Sequence, residues 1–537
     1  MALVEEQGQV VGKQALMERV WPDTFVEEAN LSVNVSLLRK ALGKQDDGRL
    51  WIETLSRRGY RFAGKARPVS ASLRALAVLP FRSLDGGPGD EAFGLGMADA
   101  LITRLGHLGQ IVVRPTSAVV KHGGRDPRQA GRELQVDAVL DGRIQRADNR
   151  VRATVQMLGV ADGASLWADT FDEAFTHIFD VQDAIAEKVA QSLTVRLSAA
   201  DRERMAQRPT ESVEAYQAYL RGRYFWNKLT GPWLEKAREA FEEAIGRDPA
   251  FALAQAGLAD TCIMLGLYGL RPPQEAFAQA RSSAETATRA DPGLAEAHVS
   301  LAYARLFGEW AWAEAEHALG CALTLNPASA SVRGWHALYL GMTGDLPAAF
   351  EEVRRAQELD PMSLTLSTNA GFQFYLAHQY DSEIGQHRRT LELEPDYAVG
   401  HWALALAYEQ KGMLEEAIAE HRKAVSLSGG SVLMKANLGR AYGLSGRKRE
   451  AREVLRELEA AAVSPYRIAT VHLALGDVAA TFEWLQRAYR ERDHWMVWLK
   501  VDPMLESLRG DRRYQTLVKK VGFPTLTPAP LPSRERG

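Results

Sequence analysis

Pro327, Pro361 and Pro395 stand 34 residues apart, and Gly429 carries the same spacing one step further. Helix-stopping residues at a fixed interval constrain this chain more than any other feature, because they force one structural unit to recur. Earlier stops at Pro249 and Pro292 extend the pattern toward the amino terminus. Aligned on these stops, small residues recur at Ala302, Ala337, Gly371, Ala405 and Gly439, and an aromatic follows three positions later at Phe374, Tyr408 and Tyr442. A second small series runs through Ala237, Ala280, Ala315, Ala349, Ala417 and Ala451. Two helices per interval fit both series, since small side chains let a pair approach closely and the aromatic fills the gap beside them. Glu383 interrupts the second series, which predicts looser packing in that unit. The interval Pro249–Pro292 is nine residues too long, and Gly266 to Pro273 is expected to bulge there as a loop.

A period of 34 with paired helices resembles the tetratricopeptide repeat, here over 210–523, with Trp484, Trp495 and Trp498 in a terminal cap. The resemblance implies a superhelix whose inner groove, lined by the first helix of each pair, binds peptides or partner domains. By position Phe372, Tyr375, Trp402, Leu406 and Arg440 are then expected to face that groove, with Asn369 and Asn437 one turn away. Asn and basic residues at such places can clamp a peptide backbone or carboxylate, although Asn369 and Asn437 read equally well as structural or solvated. Cys262 and Cys321 lie among apolar neighbours and are expected in the core. The twelve histidines show no ligand-like clustering, so neither a metal site nor a cofactor is expected. The proline-rich 524–537 stretch reads as a disordered tail.

The amino-terminal 1–67 has a different character. Gly8 to Val11 is a short extended piece, and Gly12 to Trp21 reads as a helix with Leu16, Val20 and Trp21 on one side, stopped by Pro22. After an acidic loop, Leu31, Val35, Leu38 and Leu42 recur at helical spacing over Asn30–Leu42. Leu50 to Phe62 then reads as two strands around a basic turn at Arg57-Arg58-Gly59. Between Arg39 and Arg67 stand nine basic residues and three acidic ones, in a chain of formal net charge −3. Charge alone fits either a nucleic-acid footprint or a solvated surface. The ordered segments Gly-Gln-Val-Val, Leu-Met-Glu-Arg-Val-Trp-Pro-Asp, Val-Ser-Leu-Leu-Arg-Lys-Ala-Leu-Gly, Ile-Glu-Thr and Arg-Gly-Tyr-Arg-Phe resemble the OmpR/PhoB-type winged helix-turn-helix, closest to its CadC-like branch. That resemblance makes Asn30–Leu42 the recognition helix and Leu55–Phe62 the wing. It implies DNA contacts from Asn34, Ser36, Arg39 and Lys40 on the helix and from Arg57 and Arg58 in the wing. Met1 to Glu5 matches only the end of the family's first helix, so the front part of the domain is expected to be missing, and Leu16, Val20 and Leu31 to be exposed.

Between these two parts, 72–198 alternates strands and helices. Leu73–Phe81 reads as a buried strand, Glu91–Leu108 as a helix, and Val151–Met157 as a strand with Val151, Ala153, Val155 and Met157 on one face. Asp162-Gly163 is a hairpin turn into Ser165–Phe171, and Phe179–Leu197 is a closing helix. Ala77-Val-Leu-Pro-Phe81, Asp137–Gly142, Leu166–Asp169 and Ile178–Asp183 resemble the TolB amino-terminal-like domain, which implies no defined chemistry. Gly94-Leu-Gly96 lacks the third glycine of a dinucleotide loop and falls inside a helix, so it is read as accidental. Asp141, Asp162, Asp169, Asp172 and Asp180 fit turn and strand-edge roles better than metal ligation.

The chain therefore reads as multidomain and mainly α, with an incomplete winged helix, an α/β layer domain and an α-solenoid. No catalytic motif is present, so an enzyme, a nucleotide cyclase included, is not expected. No apolar run spans a bilayer, and with two cysteines and no signal-peptide core the expected location is the cytoplasm. The sequence points to a one-component transcriptional regulator, with double-stranded DNA and a protein or peptide as partners and a homodimer on DNA possible. The alternative is an interaction scaffold with a vestigial winged helix.

Overall fold

The protein is described by a computed structural model that covers residues 3, 6, 8–20, 28–42, 49–56, 58–63, 73–84, 90–106, 111–147, 150–174, 178–192, 209–226, 231–461 and 464–525. Arg57, the acidic loop 23–27, the linker 66–72 and the tail from 526 onward lie outside these residues. The chain divides into two compact units, Met1–Leu73 and Arg74–Gly537.

In the first unit β1 (Val10–Val11) precedes α1 (Lys13–Val20) and α2 (Glu28–Leu42), and a hairpin of β2 (Ile52–Leu55) and β3 (Gly59–Phe62) follows. The sheet order is β1-β3-β2, antiparallel throughout, with Val11 opposite Tyr60 and Thr54 opposite Tyr60 on the other side. Gly59 is required where it stands: its φ is +134°, and a Cβ there would lie 2.0 Å from the Val11 carbonyl oxygen. The core gathers Val11, Leu16, Leu31, Val35, Ile52, Tyr60 and Phe62, with Leu3, Met17 and Trp51 packed around it. Leu16 and Leu31 are thus buried, contrary to expectation, because the hairpin covers them. Val20 and Leu38, each 48% exposed, are not. Helical spacing put Leu38 on the core face, but it stays outside the cluster that Leu31 and Val35 enter.

The second unit opens with β4 (Ala75–Val78), β5 (Arg82–Ser83), α3 (Asp90–Gly106), β6 (Val112–Val113), α4 (Thr116–Val119) and α5 (Pro127–Glu133). Three ten-residue strands, β7 (Ala138–Ala147), β8 (Arg150–Gly159) and β9 (Ser165–Ala174), lead to α6 (Ile178–Ser192). The sheet runs β6-β4-β7-β8-β9 with β5 beside β7; β4 is parallel to both neighbours, and β7, β8 and β9 are antiparallel. Val151, Ala153, Val155 and Met157 are fully buried on one face, as their alternation requires. Gly94 and Gly96 have a packing role. A Cβ on Gly94 would meet the Phe81 carbonyl oxygen at 2.0 Å, and one on Gly96 would meet the Leu220 side chain at 2.6 Å. The aspartates also find local partners: Asp141 accepts from Arg82, Asp162 from the Ala164 amide, and Asp172 from Arg150 and Arg152.

Eight helix pairs follow among the described residues. They are α7 (Val213–Trp226) with α8 (Gly231–Arg247), α9 (Ala252–Leu267) with α10 (Pro273–Ala290), α11 (Ala295–Glu309) with α12 (Trp312–Leu325), and α13 (Ala330–Thr343) with α14 (Leu346–Leu359). Then come α15 (Leu364–Leu376) with α16 (Tyr380–Leu393), α17 (Ala398–Gln410) with α18 (Leu414–Leu427), α19 (Val432–Leu444) with α20 (Lys448–Ala460), and α21 (Pro465–Ala474) with α22 (Val478–Arg490). Two 3-10 segments, His494–Trp498 and Pro503–Leu508, and a last helix α23 (Arg512–Val521) complete the chain. The alanines of the second small series are all fully buried.

Three expectations are corrected here. The long interval does carry a longer loop, at 268–272 within the expected stretch, but that loop takes up only part of the excess and Gly266 itself is inside α9. Compared with α13 and α14, its first helix gains two residues, its second four, and the loop between them three. Glu383 does not loosen its repeat: it is 1% exposed, and His387 one turn later sits so close to Gly371 that a Cβ there would lie 2.3 Å from the ring. Cys262 is in the core, but Cys321 is half-exposed on α12.

Candidate nucleic-acid interface and the inner face of the repeats

On α2 the side chains of Asn34, Ser36 and Lys40 are exposed, and Arg58 is exposed in the turn between β2 and β3. Asn34 donates its side-chain amide to the Asn30 carbonyl at 2.8 Å, a bond within the helix. Arg39 has a different task. Its Nε donates to the Ile52 carbonyl at 2.8 Å and its Nη2 to Thr54 Oγ1 at 2.7 Å, so it ties α2 to the first strand of the hairpin. Ser32 Oγ lies 3.3 Å from the Tyr60 hydroxyl and makes a second tie. Arg61 is paired with Glu53 across the hairpin. Of the six residues expected at DNA, Asn34, Ser36, Lys40 and Arg58 are exposed, Arg39 holds the two elements in place, and Arg57 is outside the described residues. A helix fixed at a set angle to a basic hairpin is the geometry with which a protein enters a major groove and grips the flanking phosphates.

The inner face of the array gathers Phe372, Tyr375, Trp402 and Leu406 as expected, but they do not line an open groove. Trp495, Trp498, Asp502 and Met504 of the chain's own last segment lie against them. Trp498 meets Phe372 edge-on with ring centres 5.0 Å apart. The Asp502 carboxylate accepts from Tyr375 at 3.2 Å and from Tyr466 at 2.7 Å. Burial pushes both phenols well above their ordinary range, so both donate. The Arg467 guanidinium lies 3.6 Å over the Trp495 ring, the cation sitting on the negative face of the indole.

The three polar residues expected in the groove have internal partners. Asn369 donates to the Gly334 carbonyl at 2.6 Å and so ties α15 to α13. Asn437 is fully buried and donates to Leu433 within its own helix. Arg440 is 6% exposed and pairs with the buried Glu409, which also holds His421 at 2.9 Å. Sequence spacing found the aromatic half of this surface. It missed Arg467, Trp495, Trp498 and Asp502, whose placement depends on how far the superhelix turns.

Residues 1–62 match the family model described as transcriptional regulatory protein, C terminal. The amino-terminal unit is a winged helix of the regulator type. Residues 400–430 match a tetratricopeptide repeat model, and the array is built of that unit. Among curated proteins, the chain is 30% identical over 246 residues to putative adenylate cyclase 3 of Rhizobium meliloti, covering 45% of this chain. That match spans only 42% of the relative's length. It is 23% identical over 525 residues to the transcriptional regulator HilA of Salmonella typhimurium, covering 94% of this chain and 92% of that protein. Among solved structures, PilW, a widely conserved type IV pilus biogenesis factor, aligns at 20% identity with a TM-score of 0.29, covering 38% of this chain and 93% of its own. No helix among the described residues is long and apolar enough to cross a membrane.

Proposed function

We propose that the protein is a one-component transcriptional regulator of the cytoplasm that binds double-stranded DNA through the winged helix of 1–67 and a protein or peptide through the repeats of 210–523. In this reading α2 enters the major groove with Asn34, Ser36 and Lys40, and Arg58 reaches a phosphate beside it. The TolB-like stretch 72–198 connects the two functions or pairs two copies on one DNA site. In this reading its action is binding rather than catalysis.

The observation that carries the reading is the lock between α2 and the hairpin. Arg39 bonds to two positions of β2 and fixes the angle at which the exposed polar residues of both elements are presented. Similarity to HilA along nearly the whole chain supports the same combination of parts.

The test is a salt titration of binding to random-sequence duplex DNA. Log K should fall linearly with log salt, by about 0.9 for each neutralised phosphate. Lys40→Ala and Arg58→Ala should each lower that slope by about one. A folded chain that shows no binding even at low salt sinks the regulator reading and leaves the interaction scaffold.

A further inference from the structure

We propose that the inner face formed by α15, α17 and α21 is a peptide site held shut by the chain's own carboxy-terminal segment, and that a partner presenting an aromatic side chain beside a carboxylate displaces it. The inference rests on the reading that the repeats take a protein partner, and it specifies where and by what chemistry.

The segment from Asp493 to Phe523 crosses the array rather than extending it. Its beginning packs on the early repeats, where the His494 ring meets Phe277 and Phe307. Further on, Lys500 donates to the Thr343 carbonyl at 2.9 Å, and Asp502 accepts from Tyr375 and Tyr466. One turn, Glu491 to Asp493, connects it to the last helix pair, and Arg492 in that turn takes a left-handed φ of +52°. It therefore lies on the array much as a bound peptide lies in a groove, attached at one end.

The resident also fits incompletely. Arg467 is 3% exposed, yet its Nε has no hydrogen-bond partner among the described residues. The buried Nε1 of Trp402 likewise has no acceptor. Both residues line a remaining void of about 20 Å³. Two buried donors without acceptors are unfavourable, and they are what a better ligand would satisfy. The resident shows what else the ligand needs: an indole under Arg467, a second aromatic edge-on to Phe372, and a carboxylate between the Tyr375 and Tyr466 hydroxyls. A further carboxylate or carbonyl oxygen placed at Trp402 and Arg467 would give it an advantage over the chain's own segment.

The experiment places a protease site in the turn 491–493 of the full-length chain and cuts it after folding. The probe is a labelled synthetic peptide of residues 492–525. The cut chain should stay folded by circular dichroism, release its segment slowly and take up the probe, while the uncut chain excludes it. A probe carrying Trp498→Ala should bind about tenfold more weakly or worse. A cut chain that unfolds, or one that keeps its segment and refuses the probe, shows the segment to be an ordinary core element and overturns the proposal. The partner reading is tested separately: a protein partner recovered equally by uncut and cut chains leaves that reading intact and overturns the proposal, because the contact then lies elsewhere.

Discussion

His387 and His421 occupy a slot that other repeats fill with Phe241, Leu319, Val353 and Leu455, all of them buried. Burial pushes both imidazoles down to about 3, so they stay neutral in the fold. Once unfolded, each takes up a proton below about pH 6.5, which favours the unfolded chain. Their contribution is thus complete above that pH and is lost as pH falls toward 3. His387→Leu should flatten this acid-side loss, seen as a narrowing gap between the thermal midpoints measured at pH 7 and pH 4.5. Glu383 runs the other way. Burial holds its carboxyl well above the ordinary carboxylate range. The unfolded chain ionises it above about pH 4.3, so its contribution is present below that pH and lost as pH rises. Glu383→Met, which keeps the volume and removes a buried carboxyl that faces neutral His387 at 3.8 Å without a hydrogen bond, should raise stability at pH 7 by about 1–3 kcal/mol in urea unfolding. At the winged helix, Arg39→Ala should cost about 1–2 kcal/mol of domain stability. It should weaken DNA binding at every salt concentration without changing the slope, whereas Lys40→Ala changes the slope.

At the scale of elements, the helix boundaries follow from local chemistry and were legible for that reason. Ser329, Asp345, Ser363 and Asp477 each accept from a backbone amide three residues on, and the prolines of the repeat end the preceding helix. The alternation of β8 and the Asp162-Gly163 turn are equally local. What spacing could not reveal is which neighbour covers a face. Leu38 has the period of a core residue and is half-exposed, while Leu16 and Leu31 were expected bare and are covered by the hairpin. Nor could it show that Gly94 is where α3 touches the chain just before β5. Gly94→Ala sets a Cβ against the Phe81 carbonyl, whose own amide donates to the Gly94 carbonyl at 3.1 Å. Neither backbone can yield without the other, and the substitution should cost about 1–3 kcal/mol, read from the denaturant midpoint.

For the whole molecule, the 34-residue period made the solenoid legible and concealed its closure. Each repeat ordinarily touches only its neighbours. Here Trp312 meets Phe523 at a tilt with ring centres 4.9 Å apart, Trp310 meets Tyr489, and Arg492 donates to the Glu309 carbonyl at 2.7 Å. Closure is the sum of many small rotations between repeats, and no single residue encodes it. Trp312→Ala and Phe523→Ala should therefore be non-additive, with a coupling of about 0.5–1.5 kcal/mol in a double-mutant cycle. The closing contacts also set an order of events during synthesis. The ribosome delivers the chain from its amino terminus, and the middle repeats emerge long before the segment that covers them. Until the segment from Asp493 to Phe523 is released, at about 5–20 residues per second, Phe307, Trp312, Phe372 and Trp402 lack the partners that cover them. A nascent chain stalled before Asp493 is where chaperone binding should be strongest.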